Sequence, residues 1–223
     1  MAIITPVTSK MTVNSGNVIE VYGCPSNKTN AYITLTFFKE DTTDDSLVMI
    51  ALTDKTDPAT LTTVDYFIDD LELIGTANNA ELDKLIVGTN EKLYVKVVNG
   101  PDVNIRVSGV EENNPKIIKA GRLAASKLTG TGQTQIFQNN FNNVAYITAS
   151  ITIFNTQADN ALVEMWVTSN ATPATSDKVM KIEIPGNDTT IVSNLMFNPN
   201  EKIFVRSNQP NTEYFINGIV VSA

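Results

Sequence analysis

Apolar and polar residues alternate over several short stretches of the chain. Ala31, Ile33, Leu35 and Phe37 are interleaved with Tyr32, Thr34 and Thr36. Ala145, Ile147, Ala149, Ile151 and Ile153 are interleaved with Tyr146, Thr148, Ser150 and Thr152. A period of two belongs to a strand with one face in a core, so both segments predict half-buried strands with the first-named residues inward. Further strands are predicted over 18–22, 46–53, 71–74, 80–83, 92–98 and 103–111, with equivalents in the second half. Residues 81–85 alone would fit a helical turn, but their counterpart 191–195 is β-branched, and both are read as strands.

The pattern occurs twice. Ala31-Tyr32-Ile33-Thr34 returns unchanged as Ala145-Tyr146-Ile147-Thr148, 114 residues on. Leu47-Val48 returns as Leu162-Val163, and Pro58-Ala59-Thr60 as Pro173-Ala174-Thr175, both 115 residues on. Asn90-Glu91-Lys92-Leu93-Tyr94-Val95 returns as Asn200-Glu201-Lys202-Ile203-Phe204-Val205 at 110, and Gly109 matches Gly218. The falling offset predicts a short insertion in the first copy between Thr60 and Leu71, carrying Asp65, Asp69 and Asp70. Such self-similarity reads as internal duplication. The polar run 111–116, with Pro115, suits a linker, which gives domains 1–113 and 114–223. Seven short strands per copy, separated by Gly, Asn, Pro and Asp clusters, predict an all-β chain of two tandem antiparallel β-sandwich domains, Ig-like or jelly-roll-like. Strand order is not legible at this level.

Composition narrows the chemistry. The 223 residues are 42% hydrophobic and 18% charged, enough for real cores. The opening Met1-Ala2-Ile3-Ile4-Thr5-Pro6 has no basic and apolar leader, and no secretory signal or membrane span is expected. A net charge of −8 argues against nucleic acid or an anionic membrane as partner. Charge is uneven: residues 1–112 hold 8 Lys/Arg and 17 Asp/Glu (−9), while 113–223 hold 8 and 7 (+1). That asymmetry suggests a solvent-facing first copy and a second copy facing protein. Cys24 is the only cysteine, which excludes an internal disulfide and reads as a small buried hydrophobe.

No histidine occurs, so the usual base of a hydrolytic triad and the commonest zinc ligand are missing. The carboxylate pairs Asp44-Asp45 and Asp69-Asp70 could in principle cleave a glycosidic bond, but the second copy lacks them, and no catalytic residue is assigned. Asp41, Asp44 and Asp45 offer oxygens of the kind calcium takes without the EF-hand spacing, so a solvated loop is the preferred reading and no metal or cofactor is expected. Gly130-Thr131-Gly132 lacks the residues of a phosphate-binding loop and is read as a turn. Trp166, with Tyr146 elsewhere in its copy, could form a sugar-stacking platform. Its counterpart is Ala51, which favours core packing or an interface. These two aromatics are the candidate binding surface.

Each copy resembles a small β domain of virion proteins of tailed bacteriophages. The resemblance covers nearly the whole chain. It is carried by the Thr- and Gly-rich opening before Ala145-Tyr146-Ile147-Thr148, by the hairpin 85–95, and by the closing strand Val103-Asn104-Ile105-Arg106-Val107-Ser108-Gly109-Val110-Glu111. The second copy departs at Asn217 and lacks the closing acid. The resemblance implies a non-enzymatic accessory virion protein, first a capsid decoration or cement subunit, otherwise a neck, tail or fibre component. It implies as partners the major capsid protein or other virion proteins, a homo-oligomer such as a trimer, and assembly in the bacterial host cytoplasm. A carbohydrate-binding or adhesin module is the alternative.

Overall fold

The inward set Ala31, Ile33, Leu35 and Phe37 is fully buried, while the residues between them are half-buried. The two-residue period therefore sets the core face as expected. A computed structural model describes residues 3–41, 43–74 and 79–223. The chain divides into two units, 1–122 and 123–223. The strands of the first half are β1 (Ile3–Val13), β2 (Val18–Gly23), β3 (Asn30–Phe38), β4 (Ser46–Thr53), β5 (Tyr66–Leu73), β6 (Asn79–Gly88), β7 (Lys92–Asn99) and β8 (Val103–Asn113). Those of the second are β9 (Ile117–Lys127), β10 (Thr134–Gln138), β11 (Val144–Phe154), β12 (Ala161–Thr168), β13 (Lys178–Ile184), β14 (Thr189–Phe197), β15 (Lys202–Ser207) and β16 (Glu213–Ser222). Residues of β9 through Arg122 group with the first unit.

The fold is all-β and antiparallel. The first unit pairs a sheet β1-β8-β3-β6 with a sheet β2-β7-β4-β5. The second has β9-β16-β11-β14 and β10-β15-β12-β13, the same order strand for strand. Two four-stranded sheets connected in this way form an eight-stranded jelly roll. In the second unit the core draws Ile147, Ile151, Phe197, Ile216 and Val220 from one sheet and Val163, Met165, Ile184, Ile203 and Val205 from the other.

Eight strands stand in each half where seven were expected. The additional one is β1, whose Pro6 argues against a central strand. It is tolerated because β1 lies at the edge of its sheet, where a missing N–H breaks no second ladder. Residues 81–85 and 191–195 are strand, as expected, and the helical look of 81–85 has a cause. Lys84 (φ 58°) and Asn194 (φ 60°) are left-handed, and each sits at a bulge where the register on β3 or β11 slips.

The identical Ala-Tyr-Ile-Thr segments are not structural equivalents. Ile33 faces Leu85 and Gly109, whereas Ala149 faces Leu195 and Gly218, so Ile33 corresponds to Ala149 and not to Ile147. A slip of two residues keeps each side chain on its own face, so hydrophobic alternation cannot detect it. Ala145, expected inward, is exposed because a bulge between Val144 and Tyr146 lifts it from the ladder. The glycine match does hold. A Cβ on Gly109 would stand 2.1 Å from the Tyr32 carbonyl oxygen, and one on Gly218 2.4 Å from that of Thr148, so only glycine fits either position.

Candidate functional site

Val163 and Met165 point into the core of the second unit, so Glu164, Trp166 and Thr168 of β12 project from the opposite, outer face of the sheet. Directly opposed residues in an antiparallel pair share a face. Glu164 is opposed by Arg206 and Lys181, Trp166 by Phe204 and Lys178, and Thr168 by Lys202. Four of the unit's five basic residues thus lie on one sheet face. Trp166 is 6% exposed. Its indole lies under two cations, Lys178 Nζ at 5.1 Å and Arg206 Cζ at 5.9 Å from a ring centroid, an arrangement favoured by the ring quadrupole. Glu164 accepts hydrogen bonds from Lys178 Nζ and Arg206 NH2. Lys178 first, and then Arg206, hold its carboxyl below the usual carboxylate range. A cleft of about 420 Å³ opens beside the ring, lined by Trp166, Lys178 and Arg206 together with residues 131–133 and 173–175.

The first unit fills the same place differently. Ala51 stands where Trp166 does, opposed by Tyr94 and Tyr66. The β4–β5 connection is longer: Ala51 to Tyr66 spans 15 positions, Trp166 to Lys178 spans 12. It forms short 3-10 turns at Pro58–Thr60 and Thr63–Asp65, against one at Thr175–Asp177 in the second unit. Asp65 reaches back to the Thr62 amide (2.8 Å) as Asp177 does to that of Ala174 (2.8 Å). Three extra residues therefore precede Thr63, where the Pro-Ala-Thr match implied that they follow Thr60, and one more lies inside the expected span, in a β5 bulge between Ile68 and Leu71 that the second unit lacks. Tyr94 donates its hydroxyl to the Lys55 carbonyl at 2.9 Å, and Ala51 is fully buried.

Asp65, seen in the sequence only as part of an acidic insertion, is a buried hub. Its carboxylate receives Lys55 Nζ (2.5 Å), Arg122 NH1 (2.9 Å) and the Thr62 amide and hydroxyl. Burial alone would raise its pKa, but these donors outweigh it and hold the group well below the usual range. Glu91 is a second hub, accepting from the Gly88 amide (2.9 Å), the Arg122 amide (3.0 Å) and Lys119 Nζ (3.2 Å). Gly121 (φ 89°) passes so close that a Cβ there would lie 1.7 Å from Glu91 Oε2.

No family model matches the sequence, and no curated protein matches it. Among solved structures the chain is similar to the STIV MCP, with a TM-score of 0.43 and 9% identity over 98% of this chain and 97% of that one. It is similar to a chain of Sulfolobus turreted icosahedral virus (TM-score 0.42, 8% identity, 98% and 91% covered). It is also similar to the major capsid protein of bacteriophage PM2 (TM-score 0.41, 13% identity, 97% and 98% covered).

The two aromatic candidates are not brought together. Trp166 belongs to β12, while Tyr146, 40% exposed, belongs to β11 in the other sheet. Tyr146 is opposed by Val221, and Met196, 71% exposed, is opposed by Thr148 one step along the same face. This makes an exposed apolar patch on that sheet. Asp44 and Asp45 are exposed in the β3–β4 connection, and Asp41 caps its turn by accepting from the Thr43 amide and hydroxyl, each at 2.7 Å. Asp69 and Asp70 lie in β5, not in a loop. Among the described residues no group of three His, Cys, Asp or Glu is arranged to hold a metal ion, and no helix is long and apolar enough to cross a membrane. Cys24 is buried, and desolvation, with the nearby Glu111 charge, pushes its thiol up to about 11.

Proposed function

We propose that this protein is a structural component of a virus particle, working through protein–protein contact and not through chemistry. The observation that carries the reading is the strand order, an eight-stranded jelly roll built twice in one chain. Such rolls serve as viral capsid domains, and also as lectins and cupins, so fold alone does not choose among them. The side chains favour the first use. The indole on which a sugar would stack is buried beneath Lys178 and Arg206, and the chain has no imidazole for a metal centre. Tyr146 and Met196 leave an apolar face of the kind that meets another subunit.

Within this reading, the sequence resemblance supports a decoration or cement subunit on a tailed-bacteriophage capsid, bound to the major capsid protein. Completeness of both rolls supports a second reading, a subunit of the shell itself. Closed symmetry is the rule for oligomers, and three chains with two rolls apiece would match sixfold surroundings. Antibody against the chain should label purified particles. Mild denaturant then separates the readings, because a decoration subunit leaves an intact shell and a shell subunit does not. Absence of the chain from particles would overturn both.

A further inference from the structure

We propose that the Trp166 cleft of the second unit is a docking socket for the acidic first unit of a second copy of this chain. The inference rests on the reading that many copies assemble together, and it names the surface by which they meet.

Three observations converge on it. First, the place is one that the fold itself fills when it can. On the equivalent sheet face of the first unit Ala51 is fully buried, and the longer connection is held to that face by the hydrogen bond from the Tyr94 hydroxyl to the Lys55 carbonyl. With three fewer residues there, the second unit has a 420 Å³ cleft floored by Trp166 and edged by Thr131, Gln133, Pro173, Lys178 and Arg206. Secondly, the face is basic in an acidic chain. It carries Lys178, Lys181, Lys202 and Arg206 against Glu164 and Glu183 on β12 and β13, although the unit as a whole, with 5 Lys/Arg and 7 Asp/Glu, is −2. The Arg206 side chain is 52% exposed, and only one of its nitrogens is committed to Glu164 in the ion pair described, which leaves a planar fork suited to a carboxylate. Thirdly, the complementary charge is present in the chain. The first unit, with 11 Lys/Arg and 17 Asp/Glu, is −6. Its β3–β4 connection presents exposed Glu40, Asp41, Asp44 and Asp45. A carboxylate held between a lysine and an arginine is also how Asp65 is bound inside the first unit.

The sole tryptophan of the chain floors the socket, so its fluorescence reports occupancy directly. In sedimentation velocity at low salt, the full chain should associate with rising concentration while the emission of Trp166 changes in step. Half a molar salt should weaken association at least ~10-fold, since exposed charge pairs are screened over a few ångströms at that strength. Lys178→Glu with Arg206→Glu should abolish it, as should Asp44→Lys with Asp45→Lys, and the two double variants mixed should restore it. A synthetic peptide of residues 38–47 should quench Trp166 of the wild-type chain saturably, which tests the socket without any variant. Association that survives Lys178→Glu with Arg206→Glu, or that leaves Trp166 emission unmoved, overturns the proposal, as does a chain that stays monomeric under all conditions. Each of these is compatible with the chain being found on particles, whereas its absence from particles leaves the socket result standing.

Discussion

Replacement of Asp65 by asparagine tests whether the charge of that buried hub holds the long β4–β5 connection against its sheet. The amide keeps the size and one acceptor for the Thr62 amide, but leaves Lys55 and Arg122 facing a neutral group. Removing one member of a fully buried pair costs ~3–5 kcal/mol. Here the Lys55 and Arg122 side chains are 32% and 23% exposed, so water takes up part of the loss and the expected cost is ~2 kcal/mol. For a unit of 122 residues this corresponds to a fall of ~6–10 °C in melting temperature. The dependence on pH is the sharper reading. Because the folded-state pKa lies below the unfolded value near ~3.9, the carboxylate stabilises fully above the unfolded value and loses that contribution as pH falls toward and through the folded one. Urea unfolding followed by hydrogen exchange at the β4 amides should therefore show a gap between wild type and Asp65→Asn at pH 7 that narrows between pH 5 and pH 3. A cost under ~0.5 kcal/mol, within the range of ordinary surface changes, or a gap that does not narrow, would refute the hub.

Gly109→Ala and Gly218→Ala each drive a methyl group into a carbonyl oxygen of the neighbouring strand, and each should cost ~2–3 kcal/mol in urea unfolding, while alanine at Gly130, which meets nothing nearby, should be close to neutral. Cys24 should react with a disulfide reagent at pH 8 about 100-fold more slowly in the native protein than in urea, because burial and a thiol pKa near 11 suppress the thiolate; labelling at the unfolded rate would show that the first unit opens there.

Alternation was enough to read seven of the eight strands in each half and most inward positions, Ala145 excepted, because core residues such as Ile33, Leu35, Val163 and Met165 each stand between polar or outward neighbours. It could not fix register. The Ala-Tyr-Ile-Thr match is off by two, and a period of two hides such an error. It also missed β1, whose edge position, the reason Pro6 is tolerated, is a property of the assembled sheet. At the site, Trp166 stood out by rarity and by its mismatch with Ala51. Its cationic cover did not, since Lys178 and Arg206 are 12 and 40 positions away along the chain and meet it only through cross-strand pairing. Asp65 was hidden for the same reason. Its partner Arg122 lies 57 residues on, and no local pattern links them. Counted over the structural units, the charge imbalance is also milder, −6 against −2, because Lys116, Lys119 and Arg122 fall in the first.

The bulges at Lys84 and Asn194 occupy β6 and β14, each one of the two edge strands of its sheet. A ladder kinked at its rim is a poor template for one more strand. At these two edges a further backbone strand finds a broken ladder to extend, so whatever meets them is read through side chains more than through main-chain hydrogen bonds.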